Sequence, residues 1–172
     1  MATLADRIRR AARVTGSFTL RSGKTSDVYF DKYQFEADPA LLRDIAEAML
    51  PLVPQGTQVL AGLEMGGIPL ATVMSQLSGI PACFVRKEAK AYGTCRYLEG
   101  AALASQRFVL VEDVVSSGGA IIDALSKLRA DGLEPLGAVC VIDRQTGGKE
   151  ALAAHGLAFV ALLTYAEIER SS

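Results

Sequence analysis

Glu112-Asp113 and Ser116-Ser117-Gly118-Gly119-Ala120 stand in one stretch, directly behind the wholly apolar run Phe108-Val109-Leu110-Val111. Such a valine-rich run suits a strand buried on both faces of a parallel sheet, and Ile121-Ile122-Asp123-Ala124-Leu125 follows at helical spacing. The expected order is strand, acidic pair, small-residue loop, helix N-terminus. Serines and glycines in such a turn let backbone N–H groups converge on an anion, and the positive end of the next helix adds to the attraction. The two carboxylates repel that anion, so they must serve an uncharged or cationic group beside it. Ribose hydroxyls, which donate to a carboxylate, meet the requirement; a general acid and base is the alternative role for the pair. Adjacent residues at a strand end point to opposite sides, which favours ribose binding.

A second chemical cluster is basic. Arg86, Lys87, Lys90 and Arg96 lie close together, opposed only by Glu88, in a segment that begins where the apolar run Ala82-Cys83-Phe84-Val85 ends. Arginine and lysine clusters supply charge-assisted contacts to phosphate, and a diphosphate needs such a partner. Gly62, Gly66 and Gly67 mark another loop in which backbone can approach an anion closely. That loop matches neither a dinucleotide-binding fingerprint nor a Walker A loop.

The elements that must position these loops read as an alternation. An amphipathic helix is expected over Leu4 to Val14, ending before Gly16, then two short strands, 18–20 and 28–30, around the polar turn 21–27. Asp38-Pro39 is a helix start, with Leu41, Leu42, Ile45, Met49 and Leu52 as its buried face. Strands follow at 59–62, 82–85, 108–111, 136–142 and 159–163, and helices at 68–77, 121–130 and 149–155, with a short C-terminal helix. Alternating strands and helices predict one α/β domain over 1–172, a mostly parallel sheet flanked by helices on both faces. Ligands bind beyond the C-terminal ends of such strands, which selects the loops 62–67, 86–97, 112–119 and 143–148.

Half of the 172 residues are apolar, enough for a sizeable core, and the net charge is −1. That balance argues against a broad nucleic-acid or membrane surface. No apolar run approaches ~18 residues and no charged-then-apolar leader is visible, so the expected location is cytoplasmic. Cys83, Cys95 and Cys140 with the single His155 offer no metal-ligand spacing.

The stretch 108–120 resembles the phosphoribosyl-diphosphate (PRPP) motif of the type I phosphoribosyltransferases: an apolar strand, two acidic residues, small or hydroxyl residues, glycine. Arg86-Lys87-x-x-Lys90-x-Tyr92-Gly93-Thr94, closed by Leu98-Glu99-Gly100, resembles the mobile catalytic loop of the orotate phosphoribosyltransferases. Phe18 to Gly23 with Tyr29-Phe30-Asp31 resembles their N-terminal hood, here roughly 1–36. Gly66-Gly67-Ile68-Pro69-Leu70-Ala71 resembles their pyrophosphate-side loop, and Ile142-Asp143-Arg144-Gln145 their orotate-binding strand end. Tyr92 stands where many bacterial members have His, and Arg21 where the hood usually has Lys.

The resemblance implies the type I phosphoribosyltransferase fold and the transfer of ribose 5-phosphate from PRPP to orotate, giving orotidine 5′-monophosphate and pyrophosphate for pyrimidine biosynthesis. It implies catalytic roles for Lys87, Lys90 and Asp113. PRPP would be bound by Arg21, Arg86, Lys87, Lys90, Tyr92, Glu112, Asp113, Val114, Val115, Ser116, Ser117, Gly118, Gly119 and Ala120. Orotate would be bound by Tyr29, Phe30, Ser116 and Arg144. Mg2+ would arrive on PRPP rather than in a protein cage, and a homodimer would let loop 86–97 complete the neighbouring site, with no nucleic-acid or membrane partner. Two rival readings are a phosphoribosyltransferase for another base, which needs neither Arg144 nor the basic loop, and a PRPP-sensing regulator, which needs an added DNA-binding domain or a basic face.

Overall fold

Val59–Leu63 (β3), Ala82–Val85 (β4), Phe108–Val115 (β6), Ala138–Asp143 (β7) and Phe159–Thr164 (β8) are short apolar runs that cannot face water, and the chain pairs them in parallel. Leu98–Gly100 (β5) adds an antiparallel edge, giving the order β5-β4-β3-β6-β7-β8 in the computed structural model, which describes residues 2–19, 23, 25–92 and 96–171. The interleaved helices are Gly67–Ser78 (α4), Gly119–Ala130 (α5) and Gly148–Ala154 (α6). Strand alternation sends Val109 and Val111 of β6 to one core and Phe108 and Leu110 to the other. The first core is closed by α4, by Pro39–Met49 (α3), by Leu4–Ala12 (α1) and by Ile168 of Tyr165–Arg170 (α7). The second is closed by Ile121, Leu125 and Leu128 of α5 and Leu152 of α6. This is the mostly parallel, helix-flanked α/β sheet that the alternation predicts.

The hood is an antiparallel pair, Arg13–Thr19 (β1) and Thr25–Phe30 (β2), followed by the helix Lys32–Ala37 (α2). Three details differ from the sequence reading. The first helix ends at Ala12 rather than Val14, because the Ala12 carbonyl accepts from the Asp31 N–H at 2.8 Å and Arg13 already pairs with Phe30. Gly16, read as a helix stop, is a strand residue under the Phe18 ring, which a Cβ would meet at 3.0 Å. Helix α2 and strand β5 were not expected: six and three residues are too short to show periodicity, and both depend on capping or pairing from elsewhere. Asp31 caps α2 by accepting from the Tyr33 N–H, and Asp38 caps α3 by accepting from Ala40 and Leu41. Pro39 follows at the first helical position.

Candidate active site

Strand β6 does not break at the acidic pair, as the sequence reading had it. It continues through Val114 and Val115, which pair with Ile142 and Asp143 of β7. Glu112 and Asp113 are therefore strand residues on opposite faces, both buried. Glu112 opens into a cavity of about 170 Å3 lined also by Val114, Val115, Ser116, Ser117, Gly118, Gly119, Ala120 and Ile121. This is the cradle: Gly118 takes φ +80°, which only glycine adopts without strain, and so turns the chain into the N-terminus of α5. The first residue of α6, Gly148, backs it so closely that a Cβ there would lie 2.5 Å from the Ser116 carbonyl.

Asp113 faces the other way and has no exposed surface. Lys32 Nζ lies 2.6 Å from its Oδ2, and the Glu36 carboxyl is within hydrogen-bond reach. Gly66 presses on the same carboxylate: a Cβ there would stand 1.7 Å from Oδ2. Close protein contacts by themselves call for glycine at two more positions of this loop, Gly62 against the Gly67 carbonyl and Gly67 against that of Val111. Burial pushes the Glu36 carboxyl up, and the Asp113 charge pushes it further, to about 9. Burial and Asp113 likewise raise Glu112. Burial alone would raise Asp113 too, but hydrogen bonds from Glu112, Glu36 and Lys32 outweigh it and hold Asp113 below the usual range. Glu36 is therefore neutral at neutral pH, and Asp113, facing the Lys32 ammonium, is the carboxyl that holds its charge.

Beside this wall a cavity of about 410 Å3 is lined by Tyr29, Phe30, Asp31, Lys32, Tyr33, Val114, Ser116 and Arg144. All four residues expected to hold the base meet here, two from the hood and two from strand ends. The Arg144 N–H donates to the Val115 carbonyl at 2.8 Å, and its guanidinium lies 4.8 Å over the Tyr165 ring, which meets Phe30 edge-on at 5.7 Å.

The basic segment is the connection of the β4–β5 hairpin. Its neck continues the pairing, with the Arg86 N–H donating to the Tyr97 carbonyl and the Lys90 N–H to that of Arg96. Arg86 and Lys87 share a cavity of about 620 Å3 with Glu64, Glu88, Ser117, Gly119, Ala120, Asp123 and Lys127, so they look onto the outer rim of the cradle. The Lys87 N–H donates to Glu64, and Lys127 donates to the Lys87 carbonyl. Lys90 is not in this cavity: its ammonium is paired with Glu99 at 2.6 Å. Tyr92 projects into solvent. Arg21, Gly93, Thr94 and Cys95 lie outside the described residues.

Sequence reading missed Lys32, Glu36, Glu64 and Lys127. Lys32 and Glu36 left a signal, a Lys and a Glu four residues apart just after Tyr29-Phe30-Asp31. Glu64 and Lys127 left none. His155, which meets the Ala151 carbonyl at 2.9 Å, is a helix-end residue away from the site. Among the described residues no helix is long and apolar enough to cross a membrane, and no group of three or more His, Cys, Asp or Glu forms a metal cluster.

A small-residue turn at a helix N-terminus, two buried carboxyl residues before it and a hooded cavity lie together at the C-terminal ends of the parallel strands, and the model of the phosphoribosyl transferase domain matches residues 33–154. The chain is 52% identical to the orotate phosphoribosyltransferase of Nocardioides sp. over 168 residues, covering 98% of this chain and 94% of that one. The Mycobacterium tuberculosis orotate phosphoribosyltransferase, solved with Fe(III) dicitrate, superposes with a TM-score of 0.87 at 34% identity, covering 96% of each chain. The same enzyme solved with PRPP gives 0.83 at 30% identity, also over 96% of each. The chain belongs to the phosphoribosyl transferase family, and within it to the orotate phosphoribosyltransferases.

Proposed function

We propose that the chain transfers ribose 5-phosphate from PRPP to orotate, releasing pyrophosphate, and that the residues divide the work by cavity. The observation that carries the reading is the convergence of Tyr29, Phe30, Ser116 and Arg144 on one cavity beside the cradle. Ser116 to Ala120 hold the 5′-phosphate at the helix N-terminus. Glu112 takes the ribose hydroxyls, with Asp113 as the fixed negative charge behind it, so that the wall favours the oxocarbenium-like charge that develops as the C1′–O bond breaks. Arg86 and Lys87 receive the departing diphosphate, and Lys90 joins them once it leaves Glu99. Arg144 pairs with the orotate carboxylate while Tyr29 and Phe30 cover the ring, so the attacking nitrogen meets C1′ in line.

The family uses a divalent metal, and Mg2+ suits this site: the polar side chains round the sugar and diphosphate positions are hard oxygen and nitrogen donors, with both described cysteines buried in strands. Carried on PRPP, it would supply charge neutralisation for the leaving group.

The working form is a homodimer in which loop 86–97 completes the neighbouring site. Outward projection of Tyr92 and the exposed Met65 support this. Pairing a Lys87→Ala subunit with an Asp113→Asn subunit tests it: recovered activity above either parent is expected, and none would rule out a shared site. Charged, phosphorylated substrates fit a cytoplasmic location. For the reaction itself, the protein is incubated with Mg-PRPP and a panel of bases. Orotate is consumed with release of pyrophosphate; turnover of uracil or hypoxanthine instead overturns the reading. Replacing Arg144 by Leu raises the KM for orotate by about 10- to 100-fold, the loss of one charge-assisted pair, with PRPP affinity kept.

A further inference from the structure

We propose that Glu36 and Lys32, neither of which the reaction calls for, are positioning residues: from helix α2 they hold the Asp113 carboxylate in place behind the ribose. The inference rests on the PRPP-binding reading above. Glu36 is 9% exposed, on a six-residue helix whose neighbouring Phe35 is fully buried. A glutamate there is costly unless it is neutral and bonded. Its Oε1 receives no hydrogen bond, and the Asp113 carboxyl is within reach. A neutral carboxyl beside a charged one donates to it. Glu36 is the donor, because Asp113 also has the Lys32 ammonium at 2.6 Å.

Lys32, which also lines the base cavity, reaches the same carboxylate. Asp113 is thus fixed from three sides: Glu36, Lys32 and the Gly66 backbone. A carboxylate so held is fixed in orientation and keeps its charge to a pH below the usual carboxylate range. The device also ties hood to sheet, since α2 belongs to the hood and β6 to the core of the sheet. The charged groups near Glu36 are Asp31 and Lys32 on its own segment and Asp113 on β6, with Glu112 beyond Asp113. The faces that α1 and α3 turn toward the core there are apolar, Ile8, Ala12, Leu41, Leu42 and Ile45, and α4 carries no charged residue.

The test compares Glu36→Gln, which keeps a neutral donor, with Glu36→Met, which keeps volume and removes the donor. Affinity for Mg-PRPP alone is measured by calorimetry from pH 6 to 10, with circular dichroism to confirm folding. The glutamine variant binds within about threefold of wild type at pH 7, and the methionine variant about tenfold or more weaker, as expected for a lost hydrogen bond to a charged group. Wild-type affinity falls as pH rises through about 9, where Glu36 loses its proton beside Asp113, and this fall is much reduced in Glu36→Gln. Equal weakening in both variants, wild-type binding by Glu36→Met, or an unchanged alkaline fall in Glu36→Gln overturns the inference. The glutamine profile decides alone if the methionine variant does not fold. If wild type itself fails to bind PRPP, the functional reading falls and the inference with it.

Discussion

The carboxylate wall and the basic loop sit at the same sheet edge but are built on opposite principles. The wall lies in β6, the longest strand of the sheet, paired on both sides by β3 and β7, and Asp113 has no exposed surface. The loop leaves a four-residue strand, returns on a three-residue edge strand, and carries Tyr92 at 76% exposure. Under the proposed function, the groups that face the sugar are set in the core, where packing over-determines them. The groups assigned to the departing diphosphate are set where few contacts resist movement. Removing a wall residue should therefore cost binding and stability together, whereas removing a loop residue should cost rate alone.

The sharpest way to break that contrast is Lys87→Ala. Turnover is expected to drop by about 100- to 1,000-fold, the usual scale for losing a group that stabilises developing charge, with a Tm within about 1 °C of wild type. A Tm loss of several degrees would show the loop to be structural. On the wall, Gly66→Ala forces a methyl into the Asp113 carboxylate. Overpacking of about 1–3 kcal/mol should lower the Tm by roughly 3–10 °C and weaken PRPP binding in the same variant. An unchanged Tm with normal binding would mean that the wall yields.

Glu36→Gln separates the regions by pH. The folded-state value of Glu36 is about 9, raised above its ordinary 4.5, so the proton is bound more tightly when folded. Its contribution to stability is present in full below about pH 4.5 and lost as pH rises toward 9. The glutamine variant has no such loss, so its Tm advantage should be absent near pH 4.5 and grow steadily toward pH 8. A constant difference across that range would remove Glu36 from the shared proton. The smallest effect belongs to the loop: Glu99→Gln frees Lys90 from a half-exposed pair worth under about 1 kcal/mol. A change in kcat/KM of about twofold, with the Tm held, is what steady-state kinetics and a melt should return.

Much of the sheet and the cradle could be read from residues alone, because their causes are local. An apolar run of β-branched residues, a glycine needed at positive φ and a helix opened by Asp-Pro are written at the positions where they act. The base cavity was legible only through resemblance, since Tyr29 and Arg144 are more than a hundred residues apart and nothing local joins them. The misreadings share one physical origin. The first helix stops at Ala12 because Phe30 pairs with Arg13, and β5 exists because β4 offers an open edge. Glu112 and Asp113, read as a break in the strand, stay inside it because β7 continues beside them.

By itself the sequence determined the fold class and the charge and hydrogen-bonding capacity of each loop: residue type sets those capacities, and strand-helix alternation sends the loops to one edge. Tertiary structure alone decided how the acidic pair is divided, Glu112 into the cradle and Asp113 into a sealed pocket with Lys32, Glu36 and Gly66. Protonation and orientation of a buried carboxylate depend on partners from distant segments, and only folding brings those partners within a few ångströms.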